Sequence, residues 1–169
     1  FPFEKKYFEK YNLKTIFVGN PICNIDTNTS INRKKDFIGL LPGSRLSEIY
    51  SLFPYYKTLN DYINSKYPEY RIFIPTLPYL RNTLKKLIID WKVKPIITDD
   101  KIKIDAYLSK CKISIVCSGT ATLEILLKKI PIIVTYKLNI FTEILFSLLV
   151  KTKFANIVNI IAKKEIVPE

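Results

Sequence analysis

The sequence predicts an α/β fold, a parallel β-sheet with helices on both faces, and three observations carry that prediction. Short β-branched apolar runs alternate with amphipathic helical stretches at spacings of roughly 20 to 35 residues, the pattern of successive βαβ units. The runs are continuously apolar rather than alternating, as strands covered on both faces must be. Two of them end in glycine turns that open into helices, at Pro42-Gly43-Ser44-Arg45 and at Ser118-Gly119-Thr120.

Taken in order, residues 1–11 are aromatic and charged and suggest a lead-in loop with a short helix. Residues 15–18, Thr-Ile-Phe-Val, suggest a strand closed by Gly19-Asn20-Pro21, and the polar stretch 26–35 a loop. Residues 37–41 are a buried strand. After them Leu46, Ile49, Phe53, Tyr56, Leu59 and Ile63 fall on one stripe of a helix that ends near Pro68. A strand at 70–74, a helix at 78–90 with Leu80, Leu84, Leu87 and Ile88 inward, a strand at 94–98 and a short helix at 104–110 follow. Ile113, Ile115 and Val116 mark the next strand, which leads to a helix at 120–129 with Leu123, Leu126 and Leu127 on one face. A strand at 131–135 and a helix at 138–150 complete the pattern. Right-handed crossovers would bring both glycine turns to one edge of the sheet. The expected architecture is Rossmann-like.

Composition narrows the partners. The chain has 169 residues, 48% of them hydrophobic, which is enough for one domain with a core and excludes a disordered class. Its formal charge of +12 suits an acidic partner such as a phosphate or an anionic lipid surface. A nucleic-acid partner is not expected, because no element interleaves a Lys/Arg cluster with aromatics. Cys23, Cys111 and Cys117 are scattered without metal-ligand spacing and suggest a reducing, cytoplasmic compartment. With no His in the chain, His-based triads and His metal ligands are excluded. The absence of Met, with Phe1 at the start, suggests a piece of a longer protein or a broken reading frame.

The glycine turns carry the candidate chemistry. A strand that stops at Ser118-Gly119 and starts a helix at Thr120 aims backbone N–H groups outward, and the helix dipole reinforces their attraction for an anion. The hydroxyls of Ser118, Thr120 and Thr122 add donors, and Glu124 lies one turn in, within reach of sugar hydroxyls. In the other turn Gly43 lets backbone approach a ligand, and Ser44 is placed to cap the following helix with help from Glu48. Arg45, a cation at a helix start, makes sense beside a bound anion or as a partner of Glu48. A nucleoside diphosphate fits the pair of turns. Neither turn matches the phosphate-loop or dinucleotide glycine fingerprints, which lowers the ATPase and dehydrogenase readings.

Leu40-Leu-Pro-Gly-Ser-Arg45 with Glu48-Ile49, Cys117-Ser-Gly-Thr-Ala-Thr-Leu-Glu124, Phe17-Val-Gly-Asn-Pro21, residues 131–136, Val150-Lys-Thr152 and Val158-Asn-Ile-Ile-Ala162 occur in one order. Together they resemble lipid-A-disaccharide synthase, an inverting glycosyltransferase of the GT-B type, over its C-terminal, donor-binding half. The resemblance implies transfer of diacylglucosamine from its UDP derivative to a diacylglucosamine 1-phosphate acceptor, with no cofactor and no metal. It places Arg45 at the leaving diphosphate and Gly43, Ser44, Ser118, Gly119, Thr120 and Thr122 around the phosphates. Glu124 would lie at the ribose, and Asn159 would be a second catalytic position. It divides the chain into a lead-in segment and interdomain linker (1–36), a UDP-sugar-binding domain (37–153) and the start of a C-terminal segment (154–169).

Two departures stand out: Asn20 replaces the family's His, and Ile157-Val158-Asn159 replaces its Leu-Pro-Asn. The resemblance implies that the family's general base lies on an N-terminal acceptor domain outside the matched half, so no residue of this chain is nominated for it. Asp99 and Asp100 read as a strand-to-helix turn. The apolar stretch 138–150, flanked by Lys137, Lys151 and Lys153, is too short to span a bilayer. It suits either an interfacial position at the inner face of the bacterial inner membrane or burial at a domain junction. Alternatives to the enzyme are an inactive remnant that binds UDP and another UDP-sugar enzyme of the same architecture.

Overall fold

A computed structural model describes residues 4–19, 35–137, 154 and 156–169. Its centre is a five-stranded, wholly parallel sheet of β1 (Phe37–Leu41), β2 (Arg71–Pro75), β3 (Ile96–Thr98), β4 (Cys111–Cys117) and β5 (Ile132–Thr135). The spatial order is β3-β2-β1-β4-β5, so the chain winds outward from β1 in one direction and then, from β4, in the other. The Rossmann-like expectation holds.

Alternation along the strands explains the layers. Ile38, Leu40, Ile72, Ile74 and Ile115 point to one face and meet α2 (Leu46–Lys66) and α3 (Arg81–Leu87) through Ile49, Leu52, Phe53, Tyr56 and Leu84, with Trp91 from the loop after α3. Phe37, Phe73, Val116, Ile132 and Val134 point to the other face, where Leu108 and Ile125 come from α4 (Lys101–Leu108) and α5 (Thr120–Leu127). Phe37 packs edge-on against Phe73 and stacks on Tyr107 at 4.8 Å between ring centres.

Several local expectations are corrected. Residues 15–18 form no strand, and Ile16, Phe17 and Val18 are exposed; with α1 (Lys5–Glu9) they precede the sheet without pairing to it. Leu46, expected on the inner stripe of α2, is exposed, while Leu52 and Asn60 are buried there. The helix expected at 78–90 starts as a 3-10 turn, Pro78–Leu80, and ends at Leu87. The inner face of α5 is built on Thr122 and Ile125 rather than on its leucines, with Leu126 packed beside them. The helix expected at 138–150 lies outside the described residues.

The C-terminal residues return to the sheet. α6 (Ile157–Ala162) is capped by Asn156, whose side chain accepts from the Val158 N–H at 2.9 Å. Val167 enters the second core cluster, and the Val134 N–H donates to the Pro168 carbonyl at 2.8 Å. The segment therefore covers the outer edge of β5, which would otherwise present unpaired backbone groups.

Candidate functional site

In a doubly wound sheet, neighbouring strands whose connections leave toward opposite faces open a crevice at their C-terminal ends. Here those strands are β1 and β4, which lead to α2 on one face and α5 on the other. A cleft of about 810 Å³ lies at that point. Its lining brings together Gly43, Ser44 and Arg45 from the loop after β1 with Ser118, Gly119, Thr120 and Glu124 from the turn after β4. The two sequence-distant turns form one site.

The loop after β1 is shaped by Gly43, whose φ of +96° lies in the left-handed region that favours glycine. A Cβ there would overlap the Glu48 carboxylate and lie 3.3 Å from Cys117 Sγ. The N-cap of α2 is Arg45, not Ser44 as expected. Glu48 supplies the cap by accepting the Arg45 N–H on Oε2 at 3.3 Å, and its Oε1 lies 2.8 Å from Arg45 Nη1. The Arg45 side chain is 79% exposed, whereas that of Glu48 is only 25% exposed.

Across the cleft, the Ser118 N–H donates to Thr135 O at 3.0 Å, which fixes the turn to the end of β5. Gly119 is the N-cap of α5, and Gly119, Thr120 and Ala121 line the cleft, while the Thr122 N–H is taken by Gly119 O at 3.2 Å. Behind the loops, the Tyr56 hydroxyl lies 3.4 Å from Leu41 O and 3.5 Å from Thr135 Oγ1, and burial pushes its ionisation above the ordinary phenol range. This bond set locks the C-terminal ends of β1 and β5 to α2.

The far wall comes from the end of β2 with the turn after it (Pro75, Leu77, Pro78) and from the turn after β3 with α4: Ile104 and Leu108 are apolar, and Asp99, Lys101 and Asp105 are charged. Asp99 pairs with Arg81 at 3.3 Å and Asp105 with Lys128 at 2.8 Å. Asp100 is the N-cap of α4, accepting from Ile102 N at 3.0 Å and Lys103 N at 3.3 Å, as the turn reading expected. Asp99 and Lys101 are cleft residues that the sequence reading did not place there. Their signal was available, since both follow the C-terminal end of a parallel strand. Glu124 has no ion-pair partner among the described residues, which leaves its carboxylate open to hydroxyl groups.

Two predicted site residues are elsewhere. Thr122 is 1% exposed on the inner face of α5, with no partner for its hydroxyl among the described residues. It points inward because that helix buries the face holding Thr122 and Ile125. Asn159 is fully buried: its amide donates to Val167 O at 2.7 Å and Glu169 Oε1 at 3.2 Å. Its oxygen accepts from Ile166 N at 2.8 Å and Val167 N at 3.0 Å. All four of its hydrogen-bonding positions are spent on the C-terminal segment. Asn20 lies outside the described residues, and among those described no group of His, Cys, Asp or Glu is arranged to hold a metal.

A doubly wound α/β domain with a cleft at its switch point is the class that the fold defines. The chain belongs to the lipid-A-disaccharide synthetase family, whose model matches residues 1–169. It is similar to the lipid-A-disaccharide synthase of Acinetobacter baylyi, at 34% identity over 100% of this chain and 48% of that protein. The synthase of Gluconobacter oxydans is 32% identical over 99% of this chain and 43% of its own length. That of Rhodospirillum centenum is 28% identical over 99% and 44%. The chain spans a little under half the length of these relatives.

Proposed function

We propose that this chain is the donor-binding half of a lipid-A-disaccharide synthase, which moves diacylglucosamine from UDP to a diacylglucosamine 1-phosphate acceptor. The observation that carries the reading is the meeting of Pro42–Arg45 and Ser118–Thr120 in one cleft at the β1/β4 switch point. The diphosphate would take the Thr120 and Ala121 amides at the start of α5, the hydroxyls of Ser118 and Thr120, and the Arg45 guanidinium. Glu124 would accept from the ribose hydroxyls, and the apolar wall at Leu77, Pro78 and Ile104 would face the uracil ring. As the anomeric bond breaks, negative charge grows on the departing UDP. Donors already aimed at that charge lower the barrier without reorganising at the moment of reaction.

General-base chemistry is assigned to the family's acceptor domain and to no residue of this chain. Contact with an anionic membrane surface through 138–150 belongs to the same proposal, supported by the apolar run and its flanking lysines. No described helix is long and apolar enough to cross a membrane.

Calorimetric titration of the chain with UDP tests the donor site. Arg45→Ala and Glu124→Ala should each weaken binding by about tenfold, the scale of one lost charge-assisted contact. Unchanged affinity in both variants would sink the assignment.

A further inference from the structure

We infer that Glu48 is a positioning residue that holds Arg45 at the cleft and gives the guanidinium up to an entering diphosphate. The inference rests on the donor-site reading above and adds a competition within it.

The Glu48 carboxylate uses its oxygens for different tasks. Oε2 caps α2 through the Arg45 N–H, and Oε1 pairs with the Arg45 guanidinium. The first bond is a backbone restraint that shapes the loop. The second neutralises a cation that faces the cleft. Gly43 makes this possible, because only a residue without a side chain leaves the carboxylate its place between the loop and Cys117. Glu48 is thus wedged at the floor between the two turns, and Arg45, the more exposed partner, is the one free to swing.

Charge accounting around the cleft singles out this pair. The lining cations among the described residues are Arg45 and Lys101. Asp99 and Asp105 are neutralised by Arg81 and Lys128, which do not line the cleft. Glu48 alone pairs with a cation that lines it. A diphosphate seated against α5 and Arg45 therefore meets Glu48 as a like charge and as a rival for the same N–H fork. The ion pair orients Arg45 beforehand and also opposes the ligand.

The two oxygens can be separated by substitution in the full chain. Glu48→Gln keeps an acceptor for the Arg45 N–H and removes the ion pair, so UDP and inorganic pyrophosphate should bind roughly two- to five-fold more tightly, as for a partly exposed pair. The gain should shrink as salt is raised, because it is electrostatic. Glu48→Ala also loses the cap and should melt earlier without that gain. Loss of a purely structural contact could not tighten binding. Equal or weaker binding by Glu48→Gln, with Arg45→Ala still impaired, would overturn the inference and leave the donor site standing. If the unaltered chain binds neither UDP nor pyrophosphate, the donor-site reading falls and this inference with it.

Discussion

The Tyr79 hydroxyl donates to the Ser44 carbonyl at 3.2 Å, tying the 3-10 turn after β2 to the loop after β1. Its neighbours Leu77 and Pro78 line the cleft on one side, and Ser44 lines it on the other. The bond therefore sets the width of the opening from outside. Tyr79 is 69% exposed, so the bond adds little to global stability. Tyr79→Phe should leave the melting temperature within about a degree and weaken UDP binding roughly twofold to fivefold, less than one net hydrogen bond. Titration and a thermal melt on the same sample check both halves of that expectation.

The sheet was legible because strands buried on both faces are mostly apolar, as residues 37–41 and, with Ser114 as a buried exception, 113–117 are. The cleft was legible because glycine turns after parallel strands gather on one edge. Side-chain direction was not. Ser44 and Arg45 are both candidates for the N-cap by sequence, and in the structure Arg45 takes it with extended backbone and Glu48 as the acceptor. Thr122 carries a hydroxyl suited to a phosphate, yet its position on α5 turns it inward beside Ile125. Residues 15–18 have strand composition but pair with no strand among the described residues. Asn159 sits in a family-like motif, but its bonds run to residues 166–169, a contact that no local pattern announces.

Asn159→Ala tests that last placement. Removing the side chain leaves the buried Val167 amide and carbonyl without that partner, at a cost of about 1–3 kcal/mol each before relaxation, and frees the part-buried Ile166 amide. The melting temperature should fall by several degrees, and the Val134 and Val167 amides should exchange faster. UDP affinity should change little, because the side chain is not part of the cleft lining. A loss of affinity without a loss of stability would instead put Asn159 on the ligand.

Gly43→Ala should be costly for a backbone reason first. At φ +96° an L-residue is strained by about 1–2 kcal/mol, and the added methyl also displaces the Glu48 carboxylate from Arg45. Loss of UDP binding should therefore exceed that of Glu48→Ala, which removes the cap but leaves Gly43 free to keep its left-handed backbone conformation. Measuring the two variants side by side separates loop shape from carboxylate contact.

The buried thiols give a pH dependence whose sign is fixed. Cys117 ionises at about 11 and Cys111 at about 12, against an ordinary 9.0, mainly because burial disfavours the thiolate. For Cys117 the Glu48 charge pushes further upward and Arg45 pulls back. Both folded values exceed the unfolded one, so the associated stability is fully present below pH 9.0 and is lost as pH rises through about 11 and then about 12. Each thiol should steepen the decline by about 1.4 kcal/mol per pH unit within its window. In a Cys23→Ser background, both thiols should resist iodoacetamide at pH 8 when folded and react promptly in denaturant. Denaturant melts at stepped pH should show a midpoint flat to pH 9.0 with respect to these groups and falling above it. Substituting Glu48→Gln should bring the Cys117 ionisation down while leaving that of Cys111 where it is, because Glu48 acts only on the former. Rapid alkylation of folded Cys117 at pH 8 would contradict the burial that sets this order.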